Sequence, residues 1–201
     1  MALLRHRDEP RLPTRYEDIT MKRIVIAGAK VAAAALITAA AGSAFAQASY
    51  DGFLCCNLRS DAGGWVSDSN YQEPGKKVIP VGTAVKIVGY GRQRVALDAG
   101  GQKLWIGNDY SRELELGPFA ERFVVKTDPK AKIASFPAKI QEAIKNMRVA
   151  KGMTKEQVLM AVGYPITSEN PTLDAAAWRY WLNSFAPFTV IWDGQGRVKD
   201  I

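Results

Sequence analysis

Apolar and polar side chains alternate from residue 83 to residue 107, with glycines between the alternating runs. Residues 83–90, 94–98 and 102–107 each follow a period of two, and steps such as Gly91-Arg92 and Gly100-Gly101 separate them. Because successive side chains of a β-strand point to opposite faces, this pattern predicts short antiparallel strands joined by tight turns. We expect residues 47–127 to form a small antiparallel β-barrel.

The period changes after residues 128–132, a polar segment with one proline that is interpreted as a linker. Phe136, Ile140, Ile144 and Met147 lie four, four and three positions apart, which is the spacing of one face of an α-helix. This stripe predicts a helix over residues 137–148.

A second helix is predicted by its end signals. Thr154 and Gln157 have the spacing of a capping box, and Met153 and Val158 have that of a hydrophobic staple. Gly163 suits a left-handed residue after the last turn, and Pro165 follows just beyond it.

Three strand-like runs complete the chain, at residues 177–182, 188–192 and 197–201, with a turn at residues 193–196. Two helices followed by three sequential strands predict an α+β unit over residues 133–201. The expected fold class is therefore α+β, with a small β-barrel unit followed by an ααβββ unit.

Four separated segments of the second unit resemble the BamE (SmpA/OmlA) family: residues 151–158, 162–165, 178–180 and 190–198. The residues that carry this resemblance are Gly152, Met153, Thr154, Gln157, Val158, Gly163, Pro165, Trp178, Tyr180 and Gly196. Most of them also have a purely structural explanation as cap, strand or turn residues. The resemblance implies a cell-envelope protein that contacts protein subunits or anionic lipid and supports the assembly of outer-membrane proteins.

The first unit resembles bacterial SH3-like domains more weakly, through residues 56–59, residues 81–83 and the alternating runs that follow. That resemblance implies a module that binds cell-wall peptide or glycan. Six aromatic residues of this unit either fill its core, which we expect, or line a binding groove: Tyr50, Trp65, Tyr71, Tyr90, Trp105 and Tyr110.

The N-terminus has the pattern of a signal peptide. A basic start at residues 21–23 precedes an alanine-rich apolar run, and small residues then lead to a cleavage site between Ala46 and Gln47. Residues 1–46 are therefore interpreted as an extension and a cleaved signal, and the protein as periplasmic, with a further association with the outer membrane. Residues 1–20 are either a genuine cytoplasmic extension or an untranslated stretch before an initiator at Met21.

Removal of residues 1–46 changes the charge and the available chemistry. The 201-residue chain carries a net charge of +7, which falls to +4, and its single histidine, His6, is lost. Without histidine, neither a Ser-His-Asp triad nor a Cys-His pair can form, and the commonest transition-metal ligand is absent. We expect no enzymatic activity, no cofactor and no metal site.

Cys55 and Cys56 are adjacent. A trans peptide holds neighbouring Cα atoms about 3.8 Å apart, whereas disulfides usually span at least about 4.4 Å. Buried thiols are expected, with an intermolecular disulfide or a strained ring as the alternatives.

Basic residues are concentrated between positions 126 and 155, where eight Lys and Arg face only two acidic residues. This stretch is either a solvated surface or a site for an anionic partner. The candidate residues for such a site are Lys139, Lys145, Arg148, Lys151 and Lys155. Export argues against nucleic acid, so the expected partner is an envelope protein or anionic lipid, with peripheral membrane contact.

The sequence therefore predicts a non-enzymatic exported envelope protein with a BamE-like domain that binds a protein or lipid partner. The alternative is a periplasmic SH3-like module for cell-wall peptide or glycan.

Overall fold

The computed structural model describes residues 51–201, and these residues form a mixed α+β fold, as the sequence predicts. The predicted cleavage site at Ala46 and Gln47, and Tyr50, lie outside the described residues. The elements are, in chain order, β1 (Asp51–Leu54), β2 (Leu58–Ser60), β3 (Trp65–Ser67), β4 (Lys77–Ile79), β5 (Ala84–Gly91), β6 (Arg94–Ala99), β7 (Gln102–Gly107), α1 (Leu116–Glu121), β8 (Val124–Val125), α2 (Lys130–Ala134), α3 (Ala138–Lys145), α4 (Lys155–Val162), β9 (Ala177–Asn183), β10 (Ala186–Trp192) and β11 (Val198–Asp200).

A six-stranded sheet forms the first part and curls into a half-barrel, with the strand order β3-β7-β6-β5-β1-β8. The predicted meander β5–β6–β7 is confirmed, and its strands pair antiparallel. The expectation of a purely antiparallel sheet was wrong at one edge, where β3 pairs with β7 in parallel. The strands β4, β5 and β6 separate β3 from β7 along the chain, and a parallel pair requires such a long connection.

The concave face of this sheet is covered by aliphatic side chains, not by the aromatic residues of the strands. Ile87, Leu97 and Leu104 are fully buried and lie opposite one another across β5, β6 and β7. The core aromatics are Phe119 and Phe123, which α1 and the following turn supply. No sequence signal predicted α1, a six-residue helix without a side-chain N-cap.

A three-stranded sheet of order β11-β10-β9 and the helices α3 and α4 form the second part. The predicted capping box of α4 is confirmed: Gln157 N–H donates to Thr154 Oγ1 at 3.3 Å, and Thr154 N–H donates to Gln157 Oε1 at 2.9 Å. Gly163 has a φ of +89° and ends the helix, as predicted. The core is centred on Trp178 and Trp192, whose rings meet edge to face at 4.6 Å.

Two predicted boundaries were wrong. The helix expected over residues 137–148 is α3, which ends at Lys145, because Met147 adopts a φ of +53° and turns the chain. The segment 128–132, interpreted as a linker, contains the start of α2. The side chain of Asp128 accepts a hydrogen bond from Lys130 N–H at 2.9 Å, and the N-cap position of α2 itself is Pro129, which makes no side-chain cap.

Buried asparagines connect the first part to the second. Asn57 Nδ2 donates to the carbonyl of Ile144 at 2.7 Å, and Asn57 Oδ1 accepts from Val81 N–H at 2.9 Å. Asn70 Nδ2 donates to the carbonyl of Val162 at 2.9 Å. Because these groups are buried, each bond also pairs a polar atom that, without a partner, would lower the free energy of unfolding.

Cys55 and Cys56 form a disulfide with each other, so the expectation of buried thiols was wrong. The chain bends at these two residues between β1 and β2. In a straight strand their side chains would point to opposite faces, whereas the bend allows both sulfurs to meet.

Among residues 51–201, no helix has the length and apolarity that crossing a membrane requires.

Candidate functional site

The outer face of the meander carries a groove of about 390 Å³. Its floor is made of small residues, because Gly89 of β5 lies opposite Ala96 of β6, and Ala96 lies opposite Trp105 of β7. A bulge follows Ile87, so that Val88 and Gly89 both line the groove. Gly89 and Ala96 leave a depression beside the large Trp105, and the Trp105 side chain forms one wall of it.

Trp105 and Val88 are the exposed apolar side chains of this groove, with 41% and 50% of their surfaces accessible. The neighbours of Trp105 in β7, Leu104 and Ile106, are fully buried. The expectation that the aromatic residues of this part fill the core was therefore wrong for most of them, although Tyr90 packs against the core. Trp105 and Tyr110 are exposed, and Trp65, Tyr71 and Tyr90 are only half-buried.

A second tryptophan extends the aromatic row beyond the groove. Trp65 of β3 lies in register with Trp105, and its ring covers Gly107 so closely that a Cβ at that position would lie 2.3 Å from Trp65 Cζ2. The guanidinium of Arg94 lies 4.6 Å from the centre of the Trp65 ring. This contact fixes Arg94 at the edge of the groove, because a cation over an indole face is attracted by the ring electrons.

The groove is positively charged. Arg92, Arg94 and Lys103 line it, and no carboxylate, thiol or imidazole is among its lining side chains. Arg92 and Gln93 form the β5–β6 turn with φ of +48° and +59°, values that suit a tight hairpin but are unusual for residues other than glycine, asparagine or aspartate. Arg92 is therefore held at the end of the groove at a cost in backbone energy, a feature that is common at functional sites.

The groove offers an apolar surface, small residues that allow close approach, and three cations, which are features of a binding surface. Trp105 was indicated by the sequence, but the groove was not. The signal that could have found it is that Gly89 and Ala96, two small residues, lie in line with Trp105 across three strands. This alignment can be recognised only when the strand register is known.

The five basic residues predicted for an anionic partner differ in their surroundings. Lys139, Lys145 and Arg148 are exposed. Lys151 forms an ion pair with Asp200 at 2.8 Å. Lys155 is half-buried: its Nζ donates to the carbonyl of Leu173 at 2.5 Å and lies 5.5 Å from the centre of the Trp178 ring. Lys155 therefore has a structural role in the second core.

The residues of the BamE resemblance lie mainly in the second core and at its turns. Met153, Val158 and Trp178 are fully buried, and the Tyr180 hydroxyl donates to the carbonyl of Gly163 at 3.1 Å. Pro165 is buried, and Gly152 and Gly196 take positive φ values in turns.

Within the described part of the chain, no cluster of three or more His, Cys, Asp or Glu side chains is arranged to hold a metal ion. The chain matches no protein-family model, no curated protein and no solved structure.

Proposed function

We propose that this chain is a binding protein of the bacterial cell envelope that holds the acidic peptide of the cell wall in the meander groove. The observation that carries the proposal is the groove itself, with the exposed Trp105 beside the cations Arg92, Arg94 and Lys103. Cell-wall peptides combine small apolar side chains with several carboxylates, and the groove offers complements to both. The signal-peptide pattern and the resemblance to SH3-like domains support the location and the mode of binding.

The contributions of the groove residues follow from their exposure and charge. Trp105 would supply the contact area, since a partly exposed tryptophan beside small residues is the usual anchor of a binding site. Arg94 is already oriented by Trp65, so little side-chain entropy is lost when it pairs with a carboxylate.

The test is a binding titration of the purified chain with soluble disaccharide-peptide fragments of peptidoglycan. Trp105→Ala should weaken binding by about tenfold or more, because removal of a central aromatic anchor costs roughly 2 kcal/mol. Tyr110→Ala is a matched control, since Tyr110 is similarly exposed, at 43%, but does not line the groove. Equal binding by the Trp105→Ala variant and the parent, or no binding by the parent, would refute the proposal.

A second candidate function is the BamE-like one: contact with an envelope protein or with anionic lipid in outer-membrane assembly or maintenance. The observation that favours it is Phe185, which is 93% exposed at the tip of the β9–β10 hairpin, with Leu182 39% exposed nearby. An apolar hairpin tip suits insertion among lipid tails or into a pocket of a partner protein.

This second candidate is tested with vesicles that contain anionic phospholipid. Phe185→Ser should reduce sedimentation with these vesicles, and charge reversal at Lys145, Arg148 and Lys151 should reduce it further at low salt. If deletion of the gene leaves outer-membrane barrel proteins and detergent resistance unchanged, the role in outer-membrane assembly is wrong.

A further inference from the structure

The Cys55–Cys56 disulfide lies against a second cavity, on another side of the molecule from the meander groove. This cavity has a volume of about 330 Å³, and its walls include Cys55, Leu159, Met160 and Tyr164. The charged pair Lys132 and Glu156 lies at its edge, with Lys132 Nζ 2.5 Å from Glu156 Oε1. Cys55 is half-buried here, whereas Cys56 is fully buried in the first core.

This disulfide is poorly placed to stabilise the fold. A cross-link stabilises mainly by restricting the unfolded chain, and the effect is smallest when it joins neighbours in sequence. Cys55 and Cys56 are adjacent, and their Cα atoms are 3.8 Å apart. This separation is shorter than disulfides usually span, a departure that makes a disulfide easier to reduce.

A hydrogen-bond acceptor lies next to Cys55 and could pair with the Cys55 thiol after reduction. Cys55 Sγ lies 2.8 Å from the carbonyl oxygen of Arg122. A disulfide sulfur has no proton to donate, but the thiol formed by reduction would donate a hydrogen bond to this oxygen. The guanidinium of Arg122 lies 5.3 Å from the centre of the Tyr164 ring, and Tyr164 lines the cavity. The attacking species in exchange is a thiolate. Besides Arg122 near Tyr164, it would meet charges of both signs, because Asp128, Lys132 and Glu156 line the cavity.

We propose that Cys55–Cys56 is a thiol–disulfide exchange site whose substrate is a dithiol that enters through this cavity. A thiolate of the dithiol attacks Cys55 Sγ, the bond between the two protein sulfurs breaks, and Cys56 leaves as a thiolate that takes up a proton. The second thiol of the dithiol loses its proton and attacks its own sulfur in the mixed disulfide, which releases Cys55. The dithiol is oxidised to a disulfide, and the protein gains two electrons and two protons.

The first test is reduction of the native protein with dithiothreitol, followed by maleimide labelling and mass analysis. We expect two labelled cysteines while the circular dichroism spectrum and the cooperative unfolding transition are retained. Reduction without urea, at a rate proportional to dithiothreitol concentration, would support the proposal. Thiols that appear only at urea concentrations that unfold the protein would overturn it.

The second test separates the two sulfurs with a matched pair of variants. Cys56→Ser leaves the half-buried Cys55 at the cavity, and Cys55→Ser leaves the fully buried Cys56. With oxidised glutathione as the probe, the Cys56→Ser variant should form a mixed disulfide at least about tenfold faster, because access controls the reaction of a thiol. Equal rates, or faster reaction of the Cys55→Ser variant, would show that the cavity is not the route and would overturn the proposal.

Discussion

Asp68 is a buried carboxyl whose ionisation should limit the stability of the fold near neutral pH. It follows β3 directly and is only 2% exposed. One oxygen, Oδ2, accepts from Tyr110 N–H at 2.9 Å, while Oδ1 is buried with no hydrogen-bond partner among the described residues. Burial raises the pKa of Asp68 from 3.8 to about 6, which outweighs the opposing effect of the hydrogen bonds from Tyr110 and Ser111.

The folded state holds the proton of Asp68 more tightly than the unfolded state does. Because the folded pKa is above the unfolded pKa, the folded state is favoured when Asp68 is protonated, and this advantage is lost as the pH rises from about 4 to about 6. A shift of about two pKa units corresponds to about 3 kcal/mol in the free energy of unfolding. The substitution Asp68→Asn removes the titration but keeps an oxygen that can accept from Tyr110 N–H.

The assay is urea unfolding followed by tryptophan fluorescence between pH 4 and pH 8. The stability of Asp68→Asn relative to the parent should rise by about 3 kcal/mol between pH 4 and pH 7 and then stay constant. Asp174→Asn, at an exposed position, is the control for the loss of one negative charge. If the difference between Asp68→Asn and the parent does not change with pH, the inference of a buried, destabilising carboxylate is incorrect.

Two further substitutions test the structure of the second part and its connection to the first. Thr154→Ala removes the side-chain half of the α4 capping box and should lower the free energy of unfolding by about 1 kcal/mol, measured by urea unfolding; a loss below about 0.3 kcal/mol would contradict the role of the cap. Asn57→Ala leaves Val81 N–H and the Ile144 carbonyl without their buried partner and should cost about 2–4 kcal/mol, with Asn183→Ala at the β9–β10 hairpin as a milder comparison. Unfolding of the Asn57→Ala variant with the stability of the parent would show that these bonds contribute little.

The sequence pattern predicted those elements that are stabilised by residues close together in the chain. The meander β5–β7, the three strands β9–β11 and the capped helix α4 all follow from residue periodicity or end signals within a short window of sequence. The errors occurred where a distant contact determines the outcome. The pairing of β3 with β7 depends on residues about 40 positions apart, and α1 is short and depends on burying Phe119 against the sheet.

For the candidate sites as well, local pattern indicated the residues, and distant contacts decided their surroundings. The sequence indicated two interpretations for Trp105 and three for the cysteine pair, and local pattern favoured the wrong one in both cases. Strand register decided that Trp105 faces outward beside Gly89 and Ala96, and the bend after β1 decided that the two sulfurs meet. Lys155 appeared in the sequence as one of a run of basic residues, but its contacts with Trp178 and Leu173 make it half-buried.

The sequence alone therefore determined the fold class, the main strands and the second helix, because apolar periodicity and capping act over a few residues. Only the tertiary structure decided which face of the meander is open, which cation is half-buried and which carboxyl is desolvated, because exposure depends on atoms that distant segments bring together. Asp68 illustrates the difference: its sequence neighbours are ordinary polar residues, and its raised pKa arises from burial beside the loop that contains Tyr110 and Ser111.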